Sequence, residues 1–223
     1  MAFSGFEKGQ VRFFRQLTVK QDRDWFKAHK TEYEALAERP MKDLIDDVYR
    51  AVEKQYKGFA LRPPKLFRIY RDVRFSKDKS PFKTGSSAVI GLQGSEEEGP
   101  PAALYVHLGT RDYAGAGHWH LPPGKIARYR KLVADEKTGR ELQKRLDALA
   151  RRGFKVESWE ALKRVPPGFP PDHPRADLLK RKGVGISFPK IPPSVRFSPK
   201  LASWLAARSA EAAPLITWLE KHL

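Results

Sequence analysis

The chain has 223 residues, with 43 Lys and Arg against 26 Asp and Glu, which sets the formal charge at +17 and the pI near 10.1. A content of 40% hydrophobic and 11% aromatic residues suffices for a core and excludes disorder over the whole chain. Without cysteine, disulfide scaffolds, thiolate metal sites and thiol catalysis are excluded, and with neither a ~20-residue apolar run nor a basic-then-apolar leader the chain is expected to be soluble, cytoplasmic and without a membrane partner.

In chain order, Ser4 and Glu7 form a capping-box pattern before Phe6, Phe13, Phe14 and Leu17 at helical spacing, so a first helix is expected there. Asp22 and Asp24 precede a second helix bearing Trp25, Phe26, His29, Tyr33, Leu36 and Ala37. Pro40 opens a third with Met41, Leu44, Ile45, Val48 and Val52. These aromatics, with Trp204 and Trp218, are read as helix core. After Pro63-Pro64, Leu66 to Phe75 alternates, with Phe67, Ile69, Val73 and Phe75 on one side and Arg68, Tyr70, Asp72 and Arg74 on the other, the pattern of a half-buried strand with a charged face.

Further strands are expected at Ala88–Leu92, Ala103–Leu108 and His118–Leu121, in an antiparallel meander because the connections are too short for parallel crossovers. Glu96-Glu97-Glu98 reads as a solvated hairpin tip. Pro122-Pro123 opens a helix through Tyr129 and Val133, and a second follows through Leu142, Leu146 and Leu149. Gly153–Glu157 and Val184–Phe188 read as short strands, Val165–Pro174 as a structured loop, and Arg175–Lys182 as a short helix. Ser198-Pro199 marks the start of a C-terminal helix. The expected fold is one α+β domain over residues 1–223: an N-terminal helical hairpin, a central antiparallel sheet, covering helices and a C-terminal helix.

The charge is unevenly spread. Met1 to Leu61 carries 12 basic and 10 acidic residues, whereas Arg62 to Lys83 has 8 and 2, Lys125 to Lys155 has 11 and 4, and Lys163 to Lys200 has 9 and 2. Such blocks are the footprint of a surface that meets anions. In the first block, Arg68, Arg71, Arg74, Lys77, Lys79 and Lys83 stand with Ser76, Ser80 and Thr84, and Asp72 and Asp78 are placed to orient the cations. Arginine supplies planar bidentate donors, lysine a point charge, and hydroxyls complete a shell around a phosphate. A solvated loop with incidental charge is the plain alternative.

The run from Phe67 to Thr84, with its RxxRDVRFSKDKSPxKT signature, resembles a family of bacterial and fungal proteins of about this length catalogued as a domain of unknown function. Trp25-Phe26 with His29-Lys30 and Tyr33, Gly115 to Trp119, and Leu162 to Phe169 with Asp172-His173-Pro174 resemble its other motifs, so the resemblance covers about Phe3 to about Phe188. Two departures stand out: Gln21-Asp22 where the family tends to have paired asparagines, and Phe82 where tyrosine is usual. The resemblance implies that the basic motif is a site and implies no chemistry.

His118 and His120 form an H-x-H that on a strand would share one face, with Trp119 and Leu121 turned to the core. His118 and His120 are candidate acid/base groups beside the arginines, and with His107 they are weaker candidates for metal ligation. No G-x-S-x-G elbow surrounds Ser76 or Ser80, and the glycine-rich Leu108 to Gly117 lacks the order of a phosphate loop. Three functions are compatible with these residues. The first is an anion site for a phosphate-bearing small molecule or nucleotide, catalytic only if the histidines approach the basic cluster. The second is a nucleic-acid-binding module using all the basic blocks. The third is a non-catalytic protein-interaction domain, in which Arg68 and Arg74 bridge to helix acids such as Glu32 or Asp47. Cofactor and oligomeric state are left open.

Overall fold

In a computed structural model, which describes residues 2–93 and 101–223, the chain opens as an extended lead and not as a helix. Phe3 and Phe6 are buried, the Phe3 N–H donates to Asp47 Oδ2 at 2.8 Å, and Gly5 (φ +109°) passes so near Phe197 that a Cβ there would lie 2.9 Å from its carbonyl oxygen. With Ser4 and Glu7 in this lead, α1 (Gly9–Lys20) starts later and has no side-chain cap. The second helix is broken into α2 (Arg23–Ala28), capped by Asp22 accepting from the Trp25 N–H at 2.7 Å, then α3 (Lys30–Tyr33) and one π-helical turn (Glu34–Glu38). In α4 (Arg39–Val52), Met41, Leu44, Ile45, Val48 and Val52 form one buried stripe, as their spacing dictates.

Among the described residues the sheet has six antiparallel strands in the order β1-β2-β3-β4-β6-β5: β1 (Lys65–Leu66), β2 (Gly85–Gly91), β3 (Ala102–Gly109), β4 (Tyr113–His118), β5 (Lys155–Glu157) and β6 (Val184–Ser187). The first four are a meander. Between β4 and β5 lie α5 (Pro123–Ala134) and α6 (Glu136–Ala150). The helix α7 (Ala176–Lys180) precedes β6, and α8 (Pro193–Arg196) and α9 (Lys200–His222) close the chain, α9 running through Pro214 without a break. Helices and strands combine in the expected α+β arrangement. The acidic run 96–98 lies outside the described residues.

Strand alternation decides which face meets the helices. Ala88, Ile90, Leu104, Val106, Leu108, Ala114, Ala116 and Ile186 are buried in one core with the stripes of α4 and α9. Val89, Tyr105, His107 and Tyr113, at the alternate positions, are only partly buried. The strand expected at His118–Leu121 is displaced to Tyr113–His118. Its glycines allow this: a Cβ on Gly115 would lie 2.7 Å from the Ile186 carbonyl oxygen, so only glycine lets β4 and β6 pair this closely.

Two buried arginines tie the layers. Arg196 Nε donates to Asp112 Oδ2 at 2.6 Å and its Nη2 to Gln10 Oε1 at 2.8 Å, while the guanidinium lies over the Phe6 and Phe197 rings. This joins α1, the β3–β4 turn and α8. Arg175 Nε donates to the Val133 carbonyl at 2.7 Å, at the end of α5 where carbonyls lack intrahelical partners, and its Nη2 meets Glu136 at 3.2 Å. Replacing Arg196 by Met strands the Asp112 carboxylate and Gln10. We expect the variant to lose about 3 kcal/mol of unfolding free energy in urea, whereas Arg74→Met, in a solvent-exposed pair, leaves the urea midpoint unchanged.

Candidate functional site

The basic motif does not continue β1 as a strand. Backbone pairing resumes only locally, where the Lys83 N–H donates to the Ile69 carbonyl at 2.9 Å and the Arg71 N–H to the Pro81 carbonyl at 2.8 Å, around a bridge between Tyr70 and Phe82. The segment is an irregular hairpin. Its base is anchored by Ile69 and Phe82, both buried with Phe13, Phe14, Leu17, Phe26 and Tyr33 of the N-terminal helices. Gln21 locks the same place, its Oε1 accepting from the Phe82 N–H at 2.9 Å and its Nε2 donating to the Phe82 carbonyl at 3.3 Å. Gln21, one of the Gln21-Asp22 pair at which the chain departs from the resembled pattern, is thus in direct contact with Phe82, the other departure.

Beyond that base the tip has no core to reach, and Phe75, expected on the buried side, is 96% exposed. The tip is held by its own polar groups. Arg74 pairs with Asp72 through Nε at 3.0 Å and Nη2 at 2.7 Å, Arg71 pairs with Asp78, and Lys79 Nζ donates to the Val73 carbonyl at 2.9 Å. The hydrogen bonds from Arg74 hold the Asp72 carboxyl near 2, and those from Arg71 and Ser80 hold Asp78 well below the ordinary carboxylate value. No bridge runs from Arg68 or Arg74 to Glu32 or Asp47: Arg74 is taken by Asp72 two residues away, and Asp47 is engaged by Arg50 and the Phe3 N–H.

Arg68 and Lys83 differ from the two paired arginines of the tip. Neither has a carboxylate within ion-pairing distance among the described residues. Lys83 Nζ donates to the Arg68 carbonyl at 2.8 Å and stands 5.3 Å from the centroid of the Phe67 ring. Partial burial, and then the Arg68 charge, lower its pKa. Two like charges that no carboxylate neutralises are suited to meeting an anion.

Lys83 and Phe67 form one end of a cavity of about 850 Å³ on the sheet face opposite α4 and α9. Ring contacts continue across it: Phe67 to Tyr105 at 6.0 Å, Tyr105 to Tyr113 at 6.0 Å and to Trp119 at 6.1 Å. At the far side Trp119 Nε1 donates to the Tyr113 hydroxyl at 2.9 Å, which donates to Glu157 Oε2 at 3.0 Å, and burial followed by the Glu157 charge raises the Tyr113 pKa. Ser158 and the exposed Trp159 complete that rim. One end of the groove therefore carries cations, its floor aromatic rings, and the other end a carboxylate.

The histidines are divided. His118 borders the cavity but turns Nε2 to Glu220 Oε1 of α9 at 2.5 Å, with its side chain only 2% exposed. That imidazole is held in a buried pair on the α9 side, away from the cations of the hairpin. Trp119, expected in the core, occupies the groove instead, its ring 2.5 Å from where a Gly185 Cβ would stand. His120 lies past the end of β4 on the exposed rim, and the two do not share a strand face. Among the described residues no group of three His, Asp or Glu side chains is placed to hold a metal ion.

His107 faces the groove, Nδ1 2.8 Å from Ser87 Oγ, and desolvation, with Lys83 adding to it and Asp112 opposing, lowers its pKa below the ordinary 6.5. Phe67, Tyr105, Tyr113, Trp119, Glu157 and Trp159 were not among the sequence candidates. The Tyr105/His107 alternation in β3 was the one local signal for this face.

Because His107 is harder to protonate folded than unfolded, the unfolded chain binds more protons just below pH 6.5, and stability falls as the pH drops through that interval. Between about pH 7 and about pH 5.5, thermal unfolding of the wild type should therefore shift further than that of His107→Gln; equal shifts would contradict this. Among the described residues no helix is long and apolar enough to cross a membrane. Searches of the curated proteins and of the solved structures return no match. A family model, the conserved hypothetical protein family DUF2461, matches residues 10–218, and the chain belongs to that family.

Proposed function

We propose that the open face of the sheet binds a phosphate-bearing small molecule of nucleotide type, its anionic group at Lys83 and Arg68 and its planar ring on the aromatic floor. The observation that carries this reading is the contrast between two pairs of cations on one hairpin: Arg71 and Arg74 are neutralised within the tip, whereas Lys83, which lines the groove, and Arg68 beside it have no carboxylate partner among the described residues. Glu157 at the opposite end repels phosphate and accepts hydrogen bonds from ring amines, so the groove has a polarity that matches a base at one end and a phosphate at the other. Tyr105 and Trp119 lie between them and present apolar ring surface. Ser76, Ser80, Thr84, Lys77 and Lys79 belong in this reading to the surround of the anion, with Asp72 and Asp78 fixing the hairpin that carries Lys83. His107, kept neutral and hydrogen-bonded to Ser87, lines the groove without adding charge.

Calorimetric titration with ATP and with inorganic pyrophosphate tests the assignment. A hydrogen bond to a charged group contributes about 1.5–3 kcal/mol, so Lys83→Met should weaken both ligands by roughly tenfold or more. Trp119→Ala should weaken ATP and leave pyrophosphate unchanged, because only ATP has a ring to stack. Lys144→Ala, on α6, should alter neither. Equal binding by wild type and Lys83→Met would remove the anion site from this end of the groove.

A further inference from the structure

We infer that the ligand of this surface is a single-stranded nucleic acid, which extends from the groove onto the hairpin tip, where Phe75 stacks on a further base. This inference rests on the nucleotide reading of the groove and names the polymer to which the nucleotide belongs.

The tip itself points beyond the groove. An isolated exposed apolar side chain such as Val19 needs no explanation. Phe75 is different in its company: a whole phenyl ring, 96% exposed, stands at the end of a hairpin with the Arg74 guanidinium 5.8 Å from its centroid and Lys77 and Lys79 in the same turn. Tyr70, 47% exposed, lies on the same hairpin, and its ring packs edge-on against Phe26, which fixes its position. Aromatic rings alternating with cations are the arrangement that holds single strands, because every base offers a face to stack and every linkage a phosphate to neutralise.

The sheet points the same way. Its strands are antiparallel, α4 and α9 cover one face, and the other face carries Tyr105, Tyr113 and Trp119 in mutual contact. Bases splayed from a single strand can lie on such a face. A duplex cannot use it, since its bases are already stacked and their faces inaccessible. Continuity is built into the chain, because Phe67 and Lys83 line the groove and are also the two feet of the hairpin that raises Phe75. Trp159, 76% exposed, stands on the opposite rim. A strand whose first base lies on the floor and whose backbone leaves toward Phe75 meets cations at the hairpin end, where among the described residues Arg68 and Lys83 have no carboxylate partner and Lys79 Nζ makes one hydrogen bond.

The test is fluorescence anisotropy of a labelled 15-mer of deoxythymidine, with ATP titrated separately by calorimetry, on wild type, Phe75→Ser and Lys83→Met. Because Phe75 is exposed, thermal unfolding of Phe75→Ser should match wild type, which makes its binding interpretable. The expected result is that wild type binds the 15-mer at least about tenfold more tightly than ATP, that Phe75→Ser weakens the 15-mer about tenfold and leaves ATP unchanged, and that Lys83→Met weakens both. The affinity should fall with salt at a slope of about −0.7 per phosphate neutralised. If ATP binds but the 15-mer binds no more tightly, or is indifferent to Phe75→Ser, this inference fails and the nucleotide groove stands. If neither ligand binds, both fail. Preference for the duplex over the single strand, or Phe75-dependent binding to phosphatidylserine vesicles without binding of the 15-mer, also overturns it.

Discussion

Burial of the sheet on one face only is the constraint from which the rest of the molecule follows. The amphipathic stripe of α4 and the long α9 supply enough apolar surface to cover Ala88, Ile90, Leu104, Val106, Ala114, Ala116 and Ile186, and antiparallel pairing permits the opposite face to remain solvated. The side chains on that opposite face are then free to be selected for something other than packing. They are largely aromatic, they touch one another, and they end at a lysine on one side and a glutamate on the other.

The second cluster, in the N-terminal helices, has a narrower task. Phe13, Phe14, Phe26 and Tyr33 form a pocket into which the hairpin inserts Ile69 and Phe82, with the half-exposed Tyr70 packed edge-on against Phe26. Two buried residues and the Gln21 amide fix the hairpin base, and between Arg71 and Pro81 no residue is buried and the pairs Arg71–Asp78 and Arg74–Asp72 lie within the tip itself. This division explains how a strongly basic segment is placed at the edge of a groove without losing its charge to the protein: Arg71, Asp72, Arg74 and Asp78 neutralise one another in the tip, whereas Lys77, Lys79 and the two cations at its feet have no carboxylate partner among the described residues.

Much of the fold was legible because apolar spacing alone specifies it. The stripe of α4, the alternation of Leu104, Val106 and Leu108, and the proline that opens α5 each determine a local structure that tertiary contacts only confirm. The failures share a cause, which is that the deciding partner is distant in sequence. Ser4 and Glu7 carry a capping pattern, yet Phe3 and Phe6 are drawn into the core instead, Phe3 tied to Asp47 of α4 and Phe6 under Arg196 of α8. Trp119 follows a buried histidine in a glycine-rich strand, so its own neighbours do not mark its face; the vacancies over Gly115 and Gly185 that admit its ring belong to two strands about 70 residues apart. Phe75 fits an alternating pattern that the chain abandons once the hairpin leaves its anchor. The basic motif was visible at once, whereas the groove beside it was not, because its lining comes from β2, β3, β4 and β5, the feet of the hairpin and the loops after β4 and β5, each contributing one to three residues.

The account stands on the open sheet face being the binding surface, with its cationic end at Arg68 and Lys83. A crystal structure of the protein grown with a nucleoside triphosphate measures this directly. The account predicts phosphate density within hydrogen-bonding distance of Lys83 Nζ and the base ring lying over Tyr105 and Trp119. Phosphates seated instead along α6, at Arg140 and Lys144, with the sheet face bare, would contradict it.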